Sequence, residues 1–383
     1  MTADAFLNSY IDLNLLVLAG TLLWLSTRKL LSRTRLAHAY RAQLRLMNFL
    51  TILLVLSPFL MIAFTRYVMA HPPNLSDLLV AQYLQGNVNM SAASFETLLG
   101  LREDTVRQLA TQQALWTKAL AATLALGALI VTLHLLLSVW RLALVLRRAH
   151  LWKSINGVQI LISDETRVAY STRDLWRRYV VLPAALLQSP KDLQLTLAHE
   201  MQHFRQRDIE CEFLIEFLRP LLFWNPAYYL WRREIRKLRE FACDQALSQR
   251  TGLDLRAYCE CLIRACGLAA QEPVYFVRRS PTVALVDRRE TRNGSNLHQR
   301  IVALTSEIPE EQAPASWAAI SGLLILMIIA TAMLMQRPGD WSHDRLMLST
   351  IVNLERMAER SSAGPAVDAV SILQGSFLPS SSQ

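Results

Sequence analysis

Two histidines flanking a glutamate, His199-Glu200-Met201-Gln202-His203, carry the densest chemistry in the sequence. On an α-helix, residues four apart share a face, so the two imidazoles converge on one point. Two neutral imidazoles at that spacing can hold Zn²⁺, given a third protein ligand and an open position for water. Glu200, beside the first histidine, is then placed to take a proton from that water. The expected chemistry is metal-assisted hydrolysis. The five-residue pattern alone is weak support, because chance yields it in about one chain per hundred of this length. Its surroundings must decide.

Those surroundings supply the rest of a site. Ser189-Pro190-Lys191-Asp192 reads as a helix start, with a capping hydroxyl, a proline at the first position and a carboxylate at the third. Leu193, Leu195, Leu197 and Ala198 continue it. This helix is predicted to run on to Leu218 and to stop at Arg219-Pro220. A second start, Asn225-Pro226, opens a helix through Trp231, Glu234 and Leu238 to Glu240 and Asp244. Those two carboxylates share a face: one can complete the metal sphere while the other orients a ligand imidazole. Glu210, Glu216 and Glu234 compete by proximity, but only Glu240 carries Asp244 on its face. Asp208 could orient an imidazole or simply pair with Arg205.

Four apolar stretches read as membrane spans, near residues 10–25, 46–64, 119–137 and 316–336. The first is the least apolar, with Asp12 and Asn14 near its start, and lacks the basic leader of a cleaved signal. Between the first two spans stand Arg28, Lys29, Arg33, Arg35, Arg41 and Arg45 with no acid among them, whereas loop 65–114 mixes both signs. The positive-inside rule therefore puts both termini outside and the histidine pair in the cytoplasm. All five cysteines fall in that inner segment, where reduced thiols are expected. Cys259, Cys261 and Cys266 lack zinc-ribbon spacing and read as small packing residues. His134, inside the third span, is expected to hydrogen-bond a neighbouring helix.

The net charge of +9 does not point to nucleic acid. Of the 40 Lys and Arg, 25 lie in the inner segment interleaved with acids, and no finger, phosphate loop or aromatic-basic repeat accompanies them. Arg232, Arg233, Arg236, Lys237 and Arg239 are the densest group, with anionic inner-leaflet lipid the simplest partner. Trp152 to Pro183 alternates and is rich in β-branched residues, so a small sheet is expected there. The apolar run Phe213 to Trp224 is too interrupted for a fifth span and reads as core or membrane-interface surface. A helix is expected over Gly252 to Ala269, and a polar loop over Pro273 to Ser295. Loop 65–114 should turn helical near Ser94, and the tail 337–383 holds an amphipathic helix with Leu346, Met347, Ile351, Leu354 and Met357.

His199 to His203, Arg207-Asp208, Phe223-Trp224-Asn225-Pro226 and Arg239 to Asp244 together resemble the M56 peptidases, the BlaR1/MecR1-type membrane metalloproteases. Gly157 to Asp164, Val180 to Pro183 and Leu297 to Ile301 resemble flanking segments of that family. The resemblance implies His199, His203 and Glu240 as ligands of one Zn²⁺, Glu200 as base and Asp244 as the orienting acid. It implies a membrane α-helical chain of four transmembrane helices carrying a cytoplasmic mainly-α, α+β gluzincin-like zinc protease domain with a small β-sheet. On this reading residues 1–146 form the N-terminal membrane region, 147–315 the protease, 316–336 the fourth span and 337–383 a short external tail. The location would be the bacterial inner membrane, and the substrate a cytoplasmic protein such as a transcriptional repressor. Self-cleavage would fall in the polar loop Val286–Ser295. Loop 65–114 and the tail would meet an unknown external ligand, because the Ser-x-x-Lys penicillin-binding sensor of BlaR1 and MecR1 is missing from the tail. Two other readings stand beside it: a zinc-stabilised adaptor without catalysis, and membrane-protein turnover like that of the M48 peptidases, which share the ligand pattern.

Overall fold

The computed structural model describes residues 3–68, 75–111, 114–174, 176–270, 283–284, 295–306, 314–335 and 343–362. The chain is mostly helical with one small mixed sheet. Four helices are long and apolar enough to cross a membrane: α1 (Ala3–Leu31), α2 (Tyr40–Tyr67), α5 (Leu115–Arg148) and α11 (Pro314–Leu334). The first three overrun the expected spans at both ends. At about 1.5 Å per residue, the 34 residues of α5 extend well beyond a hydrocarbon core of about 30 Å. His134 lies on its exposed face.

Contacts divide the chain into two units. One joins the loop after α2 to the tail: α3 (Leu75–Leu84) and α4 (Ala92–Thr111) pack with α12 (His343–Ser362) around Val80, Phe95, Leu348 and Val352. Glu355 accepts from the Ala93 amide at 3.2 Å and Arg356 pairs with Glu96 at 2.9 Å. The tail is helical as expected, but the inward face is Leu348 and Val352. Met347, Ile351, Leu354 and Met357 are exposed.

The other unit holds the histidine pair. Strands β1 (His150–Ile155), β2 (Val158–Ser163), β3 (Tyr170–Arg173), β4 (Arg178–Pro183) and β5 (Val283–Ala284) assemble in the order β1-β2-β4-β3-β5. Asn156 and Gly157, at φ 50° and 77°, close the β1–β2 hairpin in the geometry that such two-residue turns require. β2 and β4 are parallel and the other pairs antiparallel. The inner strands are largely buried, whereas β1 is exposed. Leu161, Tyr170 and Val181 pack on the end of α5 at Leu142, while Val158, Ile160, Val180 and Leu182 meet Phe204 and Ile209.

Phe204 belongs to α6 (Pro190–Gln206) and Ile209 to α7 (Asp208–Leu222), which corrects the single helix expected to Leu218. Arg207 breaks it by taking φ 60°, ψ 31°. Pro220 does not stop α7, which continues to Leu222. At α6 the Ser189 hydroxyl makes no cap bond, and Asp192 instead receives both arms of Arg264 at 2.6 and 2.9 Å. α8 (Pro226–Ser248) starts as expected, with Asn225 accepting from the Ala227 amide at 3.0 Å. α9 (Leu255–Ala270) follows, and α10 (Ser295–Thr305) packs on both α8 and α9. Apart from β5 and Ser295, the expected polar loop lies outside the described residues, Val286 to Gly294 included.

A left-handed conformation costs an L-residue roughly 1–2 kcal/mol and costs glycine little. Arg207 is exposed, so Arg207→Gly is expected to raise stability by up to about 1 kcal/mol, and Arg207→Val to lower it by ~1–2 kcal/mol. Thermal unfolding of the full chain in detergent checks the opposite signs.

Candidate metal centre

α6 is buried on three sides, which fixes its rotation. Leu193, Leu197, Met201 and Phe204 face the sheet, and Leu195 and Ala198 face α9. The remaining stripe carries His199 and His203 toward α8, both fully buried. Their Nε2 atoms lie 3.1 Å apart. Glu240 on α8 brings Oε2 to 3.5 Å from His199 Nε2 and Oε1 to 3.9 Å from His203 Nε2.

The opposite edge of each ring is engaged, and that fixes the tautomers. His203 Nδ1 donates to Asp208 Oδ2 at 2.8 Å; Asp208 is fully buried at the first residue of α7. The break at Arg207 is what turns Asp208 back onto this ring. Tyr258 on α9 donates its hydroxyl to Asp244 Oδ1 at 2.7 Å, so the phenolic oxygen accepts from His199 Nδ1 at 2.8 Å. Asp244 itself stands 3.7 Å from that nitrogen and reaches the ring through Tyr258. Both Nε2 atoms therefore present lone pairs to each other and to a carboxylate. Burial pushes His199 down to about 3, so the ring stays neutral.

Such a cluster is repulsive by itself and suited to a cation. Metal–nitrogen and metal–oxygen bonds of about 2.0–2.2 Å in a tetrahedron set ligand-to-ligand edges of about 3.3–3.6 Å. The three distances above bracket that range, so the residues fit a metal ion. Cys243 also lies with His199 and His203 in a group whose ligand atoms are within 4.8 Å of one another. Its sulfur, however, sits 3.5 Å from His199 Nδ1, the edge turned away from the other histidine. Burial holds its thiol well above the ordinary cysteine range.

Glu200 is fully buried beside the cluster. Ser171 on β3 donates to its Oε2 at 2.5 Å, while Oε1 has no hydrogen-bond partner among the described residues. Burial raises Glu200 to about 8, and it raises Glu240 as well. Burial would raise Asp244 too, but the Arg300 guanidinium holds it below the usual range. Arg300, buried on α10, grips Asp244 with bonds of 2.7 and 2.9 Å and lies 3.3 Å from Glu240 Oε2.

All the residues expected at the site from sequence come together. The competing acids do not: Glu210 pairs with Arg173, Glu216 with Arg232 and Glu234 with Arg28. Sequence reading missed Ser171, Tyr258 and Arg300. Only Arg300 left a trace, as part of Leu297 to Ile301.

If Asp208 and Tyr258 hold the ligand rings in these tautomers, Asp208→Ala and Tyr258→Phe should each weaken metal binding about 10–100-fold. Competition against a chelator of known affinity measures this, and unchanged affinity in both would contradict the assignment.

The family model described as BlaR1 peptidase M56 matches residues 5–304, from α1 through the metal cluster into α10. No curated protein matches the chain. With four helices able to span a bilayer and a buried histidine–carboxylate cluster, the match indicates a membrane-associated metallopeptidase. The chain belongs to the M56 peptidase family.

Proposed function

We propose that this chain is a zinc-dependent endopeptidase of the bacterial inner membrane that cuts a cytoplasmic protein. His199, His203 and Glu240 are the ligands of one Zn²⁺ and Glu200 is the base. The observation that carries this reading is the convergence of two imidazole lone pairs and a carboxylate, with each ring's far edge engaged by Asp208 or Tyr258. Cys243 is the weaker third donor, since its sulfur meets His199 at Nδ1, the ring edge turned away from the other histidine. Bound zinc supplies Lewis acidity to a peptide carbonyl and acidity to water.

The protein's own groups do the rest. Glu200 Oε1 takes the proton of the attacking water, and the same carboxyl returns it to the leaving amine. Ser171 holds the other oxygen and fixes the carboxylate plane. Substrate backbone would lie extended along β3, whose outer edge β5 now covers, so β5 must give way to it. The protease faces the cytoplasm with both termini outside. A repressor-like regulator is the proposed substrate, with self-cleavage within 286–295 as an activating step. Anionic inner-leaflet lipid is the proposed surface partner, through Lys29, Arg33, Arg147 and Arg148. Arg232, Arg236 and Arg239 turn inward to Glu212 and Glu216. The helical unit of α3, α4 and α12 is the proposed receiver of an external signal.

Glu200→Ala in membranes is expected to keep its zinc and lose cutting by at least ~10²-fold. Bound metal and fragment formation are followed together. Matching fragment patterns in wild type and variant would instead make the metal structural and the chain an adaptor. Sequencing of any self-generated fragment should place the cut within residues 286–295. Deletion of residues 341–383 should alter cutting by the unstimulated protein, and unchanged cutting would remove the tail from signal reception.

A further inference from the structure

The helical hairpin formed by α7 and α8 is built with its polarity inverted. Its charges lie between the helices: Glu212 and Glu216 on α7 meet Arg232, Arg236 and Arg239 on α8. Glu212, Glu216, Arg232 and Arg239 are all buried. Around its tip the outer surface is apolar: Phe217 is 71% exposed, Trp224 50%, Leu230 46% and Leu221 41%, with the exposed Arg233 nearer the base. A hairpin standing in water would place these sets the other way round. Ionisable groups inside a bilayer face inward and pair with one another.

The tip of the hairpin also sits beside the middle of the apolar helices. Asn225 donates to the Asn14 carbonyl and side-chain oxygens, both at 3.1 Å. Thr21 lies 3.4 Å from the Ala227 carbonyl, and Arg28 pairs with Glu234, so α8 runs alongside α1 on one face at seven-residue steps. Trp231 donates to Thr51 of α2 at 2.9 Å. Phe223 presses on Gly127 of α5, where an added Cβ would meet its ring at 2.4 Å. Asn14 is about 25 Å along α1 from Leu31, at about 1.5 Å per residue, against a hydrocarbon core of about 30 Å.

We propose that α7 and α8 form a re-entrant hairpin that enters the bilayer beyond its midplane, with Phe217, Leu221, Trp224 and Leu230 against lipid acyl chains. This rests on α1, α2 and α5 being membrane spans, as proposed above. Its occupant is lipid because α7 packs on α5 and α8 bonds to α1, spans whose own exposed residues are apolar, Leu129 and Leu133 on α5 and Leu18 and Leu22 on α1. The feet of the hairpin carry Asp208 and Glu240. Any shift of the hairpin against the spans therefore reaches the metal cluster directly.

The test places the photo-reactive residue p-benzoyl-phenylalanine at position 217, 221 or 224 of the full chain, in vesicles of phosphatidylcholine and phosphatidylglycerol. Position 133 on α5 serves as the span control and position 256, exposed on α9, as the water control. These sites are exposed, and positions 217 and 224 already carry aromatic residues, so the fold should tolerate the change; gel filtration checks it. The expected result is acyl-chain adducts at 133, 217, 221 and 224 and none at 256. Adducts at 133 alone, or only headgroup adducts at 217 and 224, would overturn the hairpin's insertion. No adduct even at 133 would overturn the membrane reading beneath it.

Discussion

Two imidazole Nε2 lone pairs are aimed at each other, 3.1 Å apart, in a buried site. Left alone they repel each other and the carboxylate of Glu240; a cation between them turns the repulsion into binding. Much of the surrounding structure serves to keep this arrangement. Asp208 and the Tyr258–Asp244 pair lock the tautomers, and Arg300 supplies the positive charge that keeps Asp244 ionised in a buried place. The sheet and α9 clamp α6 from two sides so that only one stripe of it can face α8.

The same logic explains the route of the chain between ligands. α7 leaves the cluster at Asp208, runs along α5 to Phe223, and α8 returns along α1 to Glu240. The hairpin could have been a short loop. Instead it is long, charged within and apolar without, so the metal cluster stands at the base of a structure braced by three long helices. On the proposed reading, catalysis and membrane attachment would be joined by the two helices that carry Asp208 and Glu240.

Much of the site was legible because its chemistry is local. The four-residue spacings His199 to His203 and Glu240 to Asp244 each sit on one helix face, and the cap at Asn225-Pro226 starts α8 where expected. What escaped was set by distant or strained contacts. The break at Arg207 carries no glycine, and nothing local announces that Asp208 must turn back to a ring. Tyr258, Ser171 and Arg300 reach the cluster from three other elements, and β5 is two residues whose pairing depends on β3 being nearby. Asn14 made the first span look weak in sequence. Its partner Asn225, two hundred residues away, is the reason it can be buried there.

The most direct test of the central assignment is X-ray absorption spectroscopy of the zinc-loaded full chain. The account predicts nitrogen and oxygen neighbours alone at about 2.0–2.2 Å, with the multiple-scattering signature of two imidazoles. A sulfur neighbour at about 2.3 Å would put Cys243 in the place given to Glu240 and contradict the account.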